Sequence, residues 1–319
     1  MARILLAVLA SLTMGAALAQ GQISISTGGT GGVYYPVGGG YAELINKYVD
    51  GYTAVAEVTG ASVENVALIS RGESDIALAL ADTVLQAYTG TGALEGNQLK
   101  NLRSIGVAYS NSVQIVTLAN SGIESLQDLA GKRVSVGAPG SGTEVSAQTI
   151  LEANGLTYDD IQEQRLNFNE TAAALRDGQV DAGFWSVGAP TSSILDLATG
   201  RDIVVLNLSD EEISNSLEAE PTFARYTLPA DTYRGQNEPV NTVGTPNVLV
   251  VAAEMDEQLA YDFLDALYGH IDEIIAIHPS ANETTAETSL DASPIPLHVG
   301  AIRYYEENGF TVPDRLRAD

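Results

Sequence analysis

The sequence predicts an α/β fold in two lobes, each a mainly parallel sheet flanked by helices, and three observations predict it. Short apolar strands alternate with helical stretches along the chain, and parallel neighbours need a crossover helix between them. The 319 residues exceed what one hydrophobic core comfortably fills. The third observation is a repeat: strand, glycine-rich turn and helix occur twice, and each copy is followed by a helix that stops at glycine and enters a strand.

The chain opens with Met1-Ala2-Arg3, runs through an apolar stretch from Ile4 to Ala10 and ends the segment on Ala17-Leu18-Ala19. A charged start, an apolar centre and a small-x-small end predict a cleaved secretory signal peptide over residues 1–19. Ser11, Thr13 and Gly15 interrupt the stretch, which falls short of the ~20 apolar residues a membrane span needs. The first repeat begins with a strand at Gln22–Thr27, breaks at Gly28-Gly29-Thr30-Gly31-Gly32, and passes through Val33-Tyr34-Tyr35-Pro36 to helical spacing at Tyr41–Tyr48. The second has a strand at Lys132–Val136, a turn at Gly137-Ala138-Pro139-Gly140-Ser141-Gly142-Thr143 and a helix over Glu144–Asn154. The echoing corners are Arg71-Gly72-Glu73-Ser74-Asp75 and Arg176-Asp177-Gly178-Gln179-Val180-Asp181, where Asp75 and Asp181 read as structural turn residues.

Apolar runs on either side of Tyr109-Ser110-Asn111-Ser112 suggest a first crossing between lobes, and the run after Thr242 a return. The expected division is lobe 1 over 20–115, lobe 2 over 116–244, and a return to lobe 1 with C-terminal helices over 245–319. In parallel sheets ligands sit outside the carboxyl ends of the strands. Both glycine-rich turns occupy that position, so a ligand cleft is expected between the lobes.

With 41 acidic against 15 basic residues the formal net charge is −26, and such a surface repels nucleic acid and anionic lipid. Cysteine is absent, which excludes disulfides, thiolate chemistry and a lipid-bearing anchor. Nucleotide signatures fail: Gly131-Lys132 is followed by Arg133 and precedes a strand, and neither turn has dinucleotide spacing. A nucleophile elbow at Ser141 fails because position 139 is proline. His270 and His278 lack a third ligand at metal spacing and read as structural or cap residues. No cofactor, metal or catalytic set is expected, and a periplasmic hydrolase is the weaker alternative.

The block Thr27-Gly28-Gly29-Thr30-Gly31-Gly32-Val33-Tyr34-Tyr35-Pro36 resembles the opening signature of the TAXI family, the substrate-binding proteins of tripartite ATP-independent periplasmic (TRAP) transporters. The resemblance continues at Ala81-Asp82 with Gln86-Ala87-Tyr88, at Pro139–Thr143, at Leu175–Trp185 and at Leu297–Tyr305. It implies a type II periplasmic binding fold that closes about a hinge. It also implies a periplasmic location, a glutamate-like or oxo-/dicarboxylate ligand, and delivery to TRAP permease subunits. Two positions depart from the family: Leu80-Ala81-Asp82 stands for Gln-Ser-Asp, and His298-Val299-Gly300 for His-Pro-Gly. A periplasmic sensing subunit that docks on a membrane kinase would use the same cleft.

The expected ligand residues on the first turn are Thr30, Gly31 and Gly32, with Tyr34 and Tyr35 after it, of which at most one is fully buried because helical neighbours diverge. Ser141 and Thr143 offer hydroxyls on the second turn, and Ser62 joins them from lobe 1. Asp82 is expected either to accept from the ligand or to cap a helix. Trp185, the single tryptophan, is expected either in the core or on the cleft wall. Backbone amides and hydroxyls, rather than an arginine clamp, are expected to hold a carboxylate.

Overall fold

The computed structural model describes residues 21–318; the expected signal peptide at 1–19 lies outside them. The chain forms β1 (Gly21–Ser26), α1 (Tyr34–Tyr48), β2 (Tyr52–Glu57), α2 (Ser62–Arg71), β3 (Ile76–Leu80) and α3 (Ala81–Thr89). A long strand β4 (Leu102–Leu118) then leads to β5 (Arg133–Ser135), α4 (Gly142–Ala153), β6 (Gln162–Gln164), α5 (Phe168–Arg176) and β7 (Ala182–Val187). There follow α6 (Ser192–Gly200), β8 (Ile203–Val205), α7 (Asp210–Ala219), β9 (Ala224–Leu228) and a second long strand, β10 (Val240–Ala252). Four helices close the chain: α8 (Glu257–Gly269), α9 (Ile271–Ile277), α10 (Ala286–Ala292) and α11 (Val299–Glu307).

The two sequence repeats are two copies of one β-α-β-α-β unit. In the first, β1 lies between β2 and β3, and all pairings are parallel. In the second, β5 lies between β6 and β7, again parallel. Both corner aspartates do the same work: Asp75 Oδ2 accepts the Ser24 amide of β1 at 2.8 Å, and Asp181 Oδ2 accepts the Arg133 amide of β5 at 2.9 Å. Each corner thereby ties the third strand of its unit to the first.

The long strands β4 and β10 run antiparallel to each other and join the units into the sheet order β2-β1-β3-β10-β4-β7-β5-β6. Partners change midway along both. β10 pairs with β3 through Asn247–Val250 but with β9 through Val240–Gly244, while β4 pairs with β7 from Ser112 onward. Alternation on the strands feeds two cores. Ile76 and Leu78 of β3, with Leu249 and Val251 of β10, face one layer with α1 and α8 residues such as Leu44 and Phe263. Ala77, Ala79, Val248 and Val250 face the other with Val66 and Ile69 of α2, as the two-residue period of a strand requires. The second unit has its own core, including Ile115, Val134, Ile150 and Phe184.

Helix α1 starts at Tyr34, well before the helical spacing legible from Tyr41, and it runs through Gly38-Gly39-Gly40. Three consecutive glycines weaken a helix, but packing overrides propensity here. A Cβ on Gly38 would collide with Thr27, and one on Gly40 would lie 2.5 Å from Ile277 Cδ1. The helix is therefore pressed between β1 and α9. Among the described residues, no helix is long and apolar enough to cross a membrane.

The carboxyl ends of β1 and β3 are fixed by a buried amide. Asn65 Nδ2 donates to the carbonyls of Thr27 at 2.7 Å and Leu78 at 2.8 Å, and its Oδ1 accepts the Thr59 hydroxyl at 2.7 Å. Replacing Asn65 by alanine removes the donor to both carbonyls, leaving the Thr59 hydroxyl on that of Thr27 at 3.1 Å. Urea unfolding of Asn65→Ala should show a loss of about 2–4 kcal/mol; a change below about 0.5 kcal/mol would mean that this amide does not hold the strand ends.

Candidate functional site

A cavity of about 390 Å³ lies between the units at the carboxyl ends of their strands. Five helices begin at its wall. Val33, Ala61, Leu80, Ser141 and Asn167, the N-cap residues of α1, α2, α3, α4 and α5, all line it. Each helix start carries amide N–H groups without intrahelical partners and the positive end of a macrodipole. Among the described residues, no lysine, arginine or histidine lines the cavity, and Glu170 is the one charged lining residue. The Glu170 carboxylate accepts the Asn167 amide at 2.9 Å in a reciprocal cap of α5.

The first glycine turn reaches across to the second unit. The Gly31 carbonyl accepts the hydroxyls of Thr191 at 3.1 Å and Ser192 at 3.3 Å. A Cβ on Gly31 would collide with Asn169, and one on Gly32 would come within 3.1 Å of Phe168. None of Gly28, Gly29, Gly31 or Gly32 has positive φ, so at Gly31 and Gly32 the missing side chains make room for the opposite lobe. Gly31 and Gly32 are expected ligand residues from the sequence; in the structure it is the opposite lobe that approaches them. In the second turn Gly137 and Gly140 do have positive φ, 109° and 76°. The Gly140 carbonyl accepts the Val63 and Glu64 amides of α2 at 3.1 and 3.2 Å, and a Cβ on Gly142 would lie 2.6 Å from both Leu80 Cδ1 and Ser62 Oγ. Each turn therefore contacts the opposite lobe beside the cavity.

Of the residues singled out in the sequence, Gly32, Tyr34, Ser62, Ser141 and Thr143 line the cavity. Tyr34 is buried and donates to Asn247 Oδ1, and burial raises its hydroxyl pKa well above the ordinary tyrosine range. Ser62 Oγ accepts the Leu80 amide at 3.1 Å. Ser141 Oγ accepts the Glu144 amide at 3.2 Å as the cap of α4, and Thr143 Oγ1 accepts the Ser186 amide at 3.4 Å. Thr30 and Gly31 stand at the contact between lobes outside the lining, Thr30 accepting from Asn169 Nδ2 at 3.4 Å. Tyr35 is 38% exposed and faces away, the divergence expected of neighbours on a helix.

Trp185 is a core residue. It is fully buried, its indole N–H donates to Ser193 Oγ at 3.1 Å, and its ring stacks on Phe168, which does line the cavity. Asp82 does not line the cavity. It sits in the first turn of α3, fully buried, where Oδ2 accepts the Ser146 hydroxyl of α4 at 2.7 Å and Oδ1 accepts its neighbour's amide, that of Thr83. It therefore joins the lobes instead of capping over Val84 and Leu85. Beside it Gln86 Nε2 donates to buried Glu220 at 3.2 Å.

Lining residues not singled out in the sequence include Asn111, Asn167, Phe168, Glu170 and Ser186. For three of them a signal existed: Asn167-x-x-Glu170 is a capping pattern that marks a helix start, and it places Asn167, Phe168 and Glu170 at a wall where other helices also begin. Asn111 lies within the stretch suspected as the crossing, and Ser186 had no local signal. The histidines hold backbone: His278 caps a short turn through the Ser280 amide at 3.2 Å, and His298 caps α11 through the Gly300 amide at 3.1 Å. Among the described residues, no group of three or more potential ligands could hold a metal ion.

The Asp82 carboxyl is raised from 3.8 to about 6, first by burial, with Glu220 adding to it and the hydrogen bonds from Ser146 and Thr83 opposing it. A folded-state pKa above the unfolded value contributes stability that is fully present below about pH 4 and lost as pH rises through about 6. Asp82→Asn, neutral at every pH, should be about 1–3 kcal/mol more stable to urea than the parent at pH 7.5 and match it below about pH 3.5. An equal difference at both pH values would show that the Asp82 charge carries no such cost.

Solved structures share this fold at low identity. One is the ligand-binding component of an ABC-type import system from Staphylococcus aureus, 10% identical over 94% of this chain and 97% of that one, with a TM-score of 0.53. A second, described as a periplasmic transporter, is 13% identical over 82% and 87% of the two chains, with a TM-score of 0.54. A Xanthomonas citri protein bound to a chloride ion is 11% identical over 90% and 99%, with a TM-score of 0.51. These likenesses establish the architecture, an α/β fold with a mixed sheet flanked by helices, shared with the ligand-binding component of an import system. The sequence itself matches one family from the end of β1 to just past α11, residues 25–309, and the chain therefore belongs to the NMT1-like family.

Proposed function

We propose that this protein is a non-enzymatic, periplasmic solute-binding protein, exported through a cleaved signal peptide, that captures a small carboxylate between its lobes and delivers it to a membrane transporter. The observation that carries the proposal is the convergence of five helix N-caps on one interlobe cavity that has no basic lining residue. Helix starts attract anions through oriented amides, and in a low-dielectric cleft that attraction strengthens. Tyr34, Ser62, Ser141 and Thr143 would add hydroxyl contacts, and Gly32 would contribute backbone to the wall.

The finer assignment is to the TAXI type of binding protein, with TRAP permease subunits as partners. It is supported by the sequence block Thr27–Pro36 and the later matching segments. Glutamate-like and dicarboxylate ligands follow from that resemblance and share the carboxylate. The lobes are proposed to divide at 20–115, 116–244 and 245–319. This division is supported by the partner changes at Ser112 in β4 and between Gly244 and Asn247 in β10.

A thermal-shift screen against carboxylates tests the capture step, since a ligand that binds only the native state raises Tm by mass action. With a carboxylate that raises Tm, calorimetry on Thr143→Val should show binding weaker by about 0.5–3 kcal/mol. Retained affinity in Thr143→Val, or no shift with any carboxylate, would contradict this account of the site. Uptake into vesicles holding the TRAP permease, stimulated by this protein and its ligand, tests the partner.

A further inference from the structure

The contact between α3 and the second unit, directly behind the cavity wall, buries an acid from each side. Helix α3 packs against α4 at their starts, where both Leu80 and Gly142 line the cavity and a Cβ on Gly142 would lie 2.6 Å from Leu80 Cδ1. Asp82 follows Leu80 on α3 and is fully buried; its Oδ2 accepts the hydroxyl of Ser146, one turn along α4 from Gly142, at 2.7 Å. One turn further along α3, Gln86 Nε2 donates at 3.2 Å to Glu220, which ends α7 and is 4% exposed. Helix α7 belongs with the second unit, since its Ile213 packs in that unit's core. Each unit therefore sets a carboxyl group into the buried face of the other.

Neither carboxylate is ion-paired among the described residues. Their partners are neutral donors: Ser146 and Thr83 for Asp82, Gln86 and Thr222 for Glu220. The titratable groups near Asp82 come from two other elements. Glu220 opposes its ionisation, and the Tyr34 hydroxyl of α1 is near enough to feel its charge but is kept protonated by burial. Two like charges buried without a counter-charge are costly, and a parting of the units here would give both to water. Ionisation therefore favours parted lobes and protonation favours closed ones. Asp82 is raised to about 6 in the contact, against about 4 in water, so closing takes up a proton across that window.

We propose that the α3 contact is a proton-operated latch on the cleft, closed when Asp82 is protonated and released when it is ionised. The latch rests on the reading of the molecule as a binding protein with closing lobes, and it is independent of the ligand's chemistry. Capture is thereby favoured where protons are plentiful and release where they are scarce.

The chain has no cysteine, so Asp50→Cys and Asp159→Cys place a dye pair at exposed sites, one on each lobe. Single-molecule energy transfer in the ligand-free protein then reads the ratio of open to closed molecules. That ratio should rise by up to about tenfold per pH unit between about pH 4 and 6 and level off above. In Asp82→Asn it should stay at the parent's low-pH value throughout. Glu220→Gln, which removes the neighbouring charge, should lower the pH at which the ratio levels off. A ratio that does not change with pH in the parent, or that changes as much in Asp82→Asn, overturns the latch. Saturation with a carboxylate that raises Tm separates the latch from the function it rests on. Closure by the carboxylate without a response to pH overturns the latch alone, and closure by neither overturns both. A pH response without closure by any carboxylate keeps the latch and overturns the carboxylate reading.

Discussion

Two long strands carry the chain between lobes, and their crossing is held by one chain of buried hydrogen bonds. Tyr34 of α1 donates to Asn247 of β10; Asn247 Nδ2 donates to the Tyr109 carbonyl and to Asn111 Oδ1, both at 2.8 Å; Asn111 Nδ2 donates to the Ser186 carbonyl at 2.8 Å. Both asparagines are almost completely buried, and buried amides that are fully satisfied specify one arrangement while partly satisfied ones are costly. The chain starts on a helix of the first lobe, passes through both crossing strands and ends on a strand of the second. Pro246 lies between, at a shift of register in the pairing of β10 with β4; it has no N–H to give to the ladder. The ladder is interrupted where side chains take over, and Asn111 there lines the cavity.

The lobes then meet with glycines of each turn against side chains of the opposite lobe. Gly31 and Gly32 from one turn and Gly142 from the other leave no space for a side chain, so backbone carbonyls and amides make contacts across the gap. Helix starts follow immediately, because in both units the turn joins a strand to a helix. The same topology that repeats the unit therefore doubles the number of positive helix ends at the cavity, and α2, α3 and α5 begin at the same wall. An acidic chain of net charge −26 can in this way present a local positive potential without a basic side chain. Asp82 and Glu220 are buried just outside this region, where they join the lobes, and their cost falls on the interlobe contact.

What the sequence made legible was local. Strand, glycine turn, helix and corner aspartate recur within short windows, and the structure builds two like units from them. The direction of Tyr34 against Tyr35 followed from helical geometry alone. What stayed hidden was set by contacts between residues far apart in the chain. The start of α1 depends on Thr27 and Ile277 closing on Gly38 and Gly40. The place of Trp185 depends on Ser193 and Phe168, and that of Asp82 on Ser146 of the other lobe. Ser186 could not be singled out, because its place in the lining depends on a cavity formed by both lobes.

Hinged closure over a carboxylate is the central claim, and small-angle scattering tests it most directly. The radius of gyration should fall when the tightest-binding carboxylate of the thermal-shift screen saturates the protein, because closure completes the site. Gly142→Leu, which would drive a side chain into Leu80 and Ser62, should keep the larger radius in the same ligand concentration. An identical radius for the parent protein with and without saturating ligand would contradict the account.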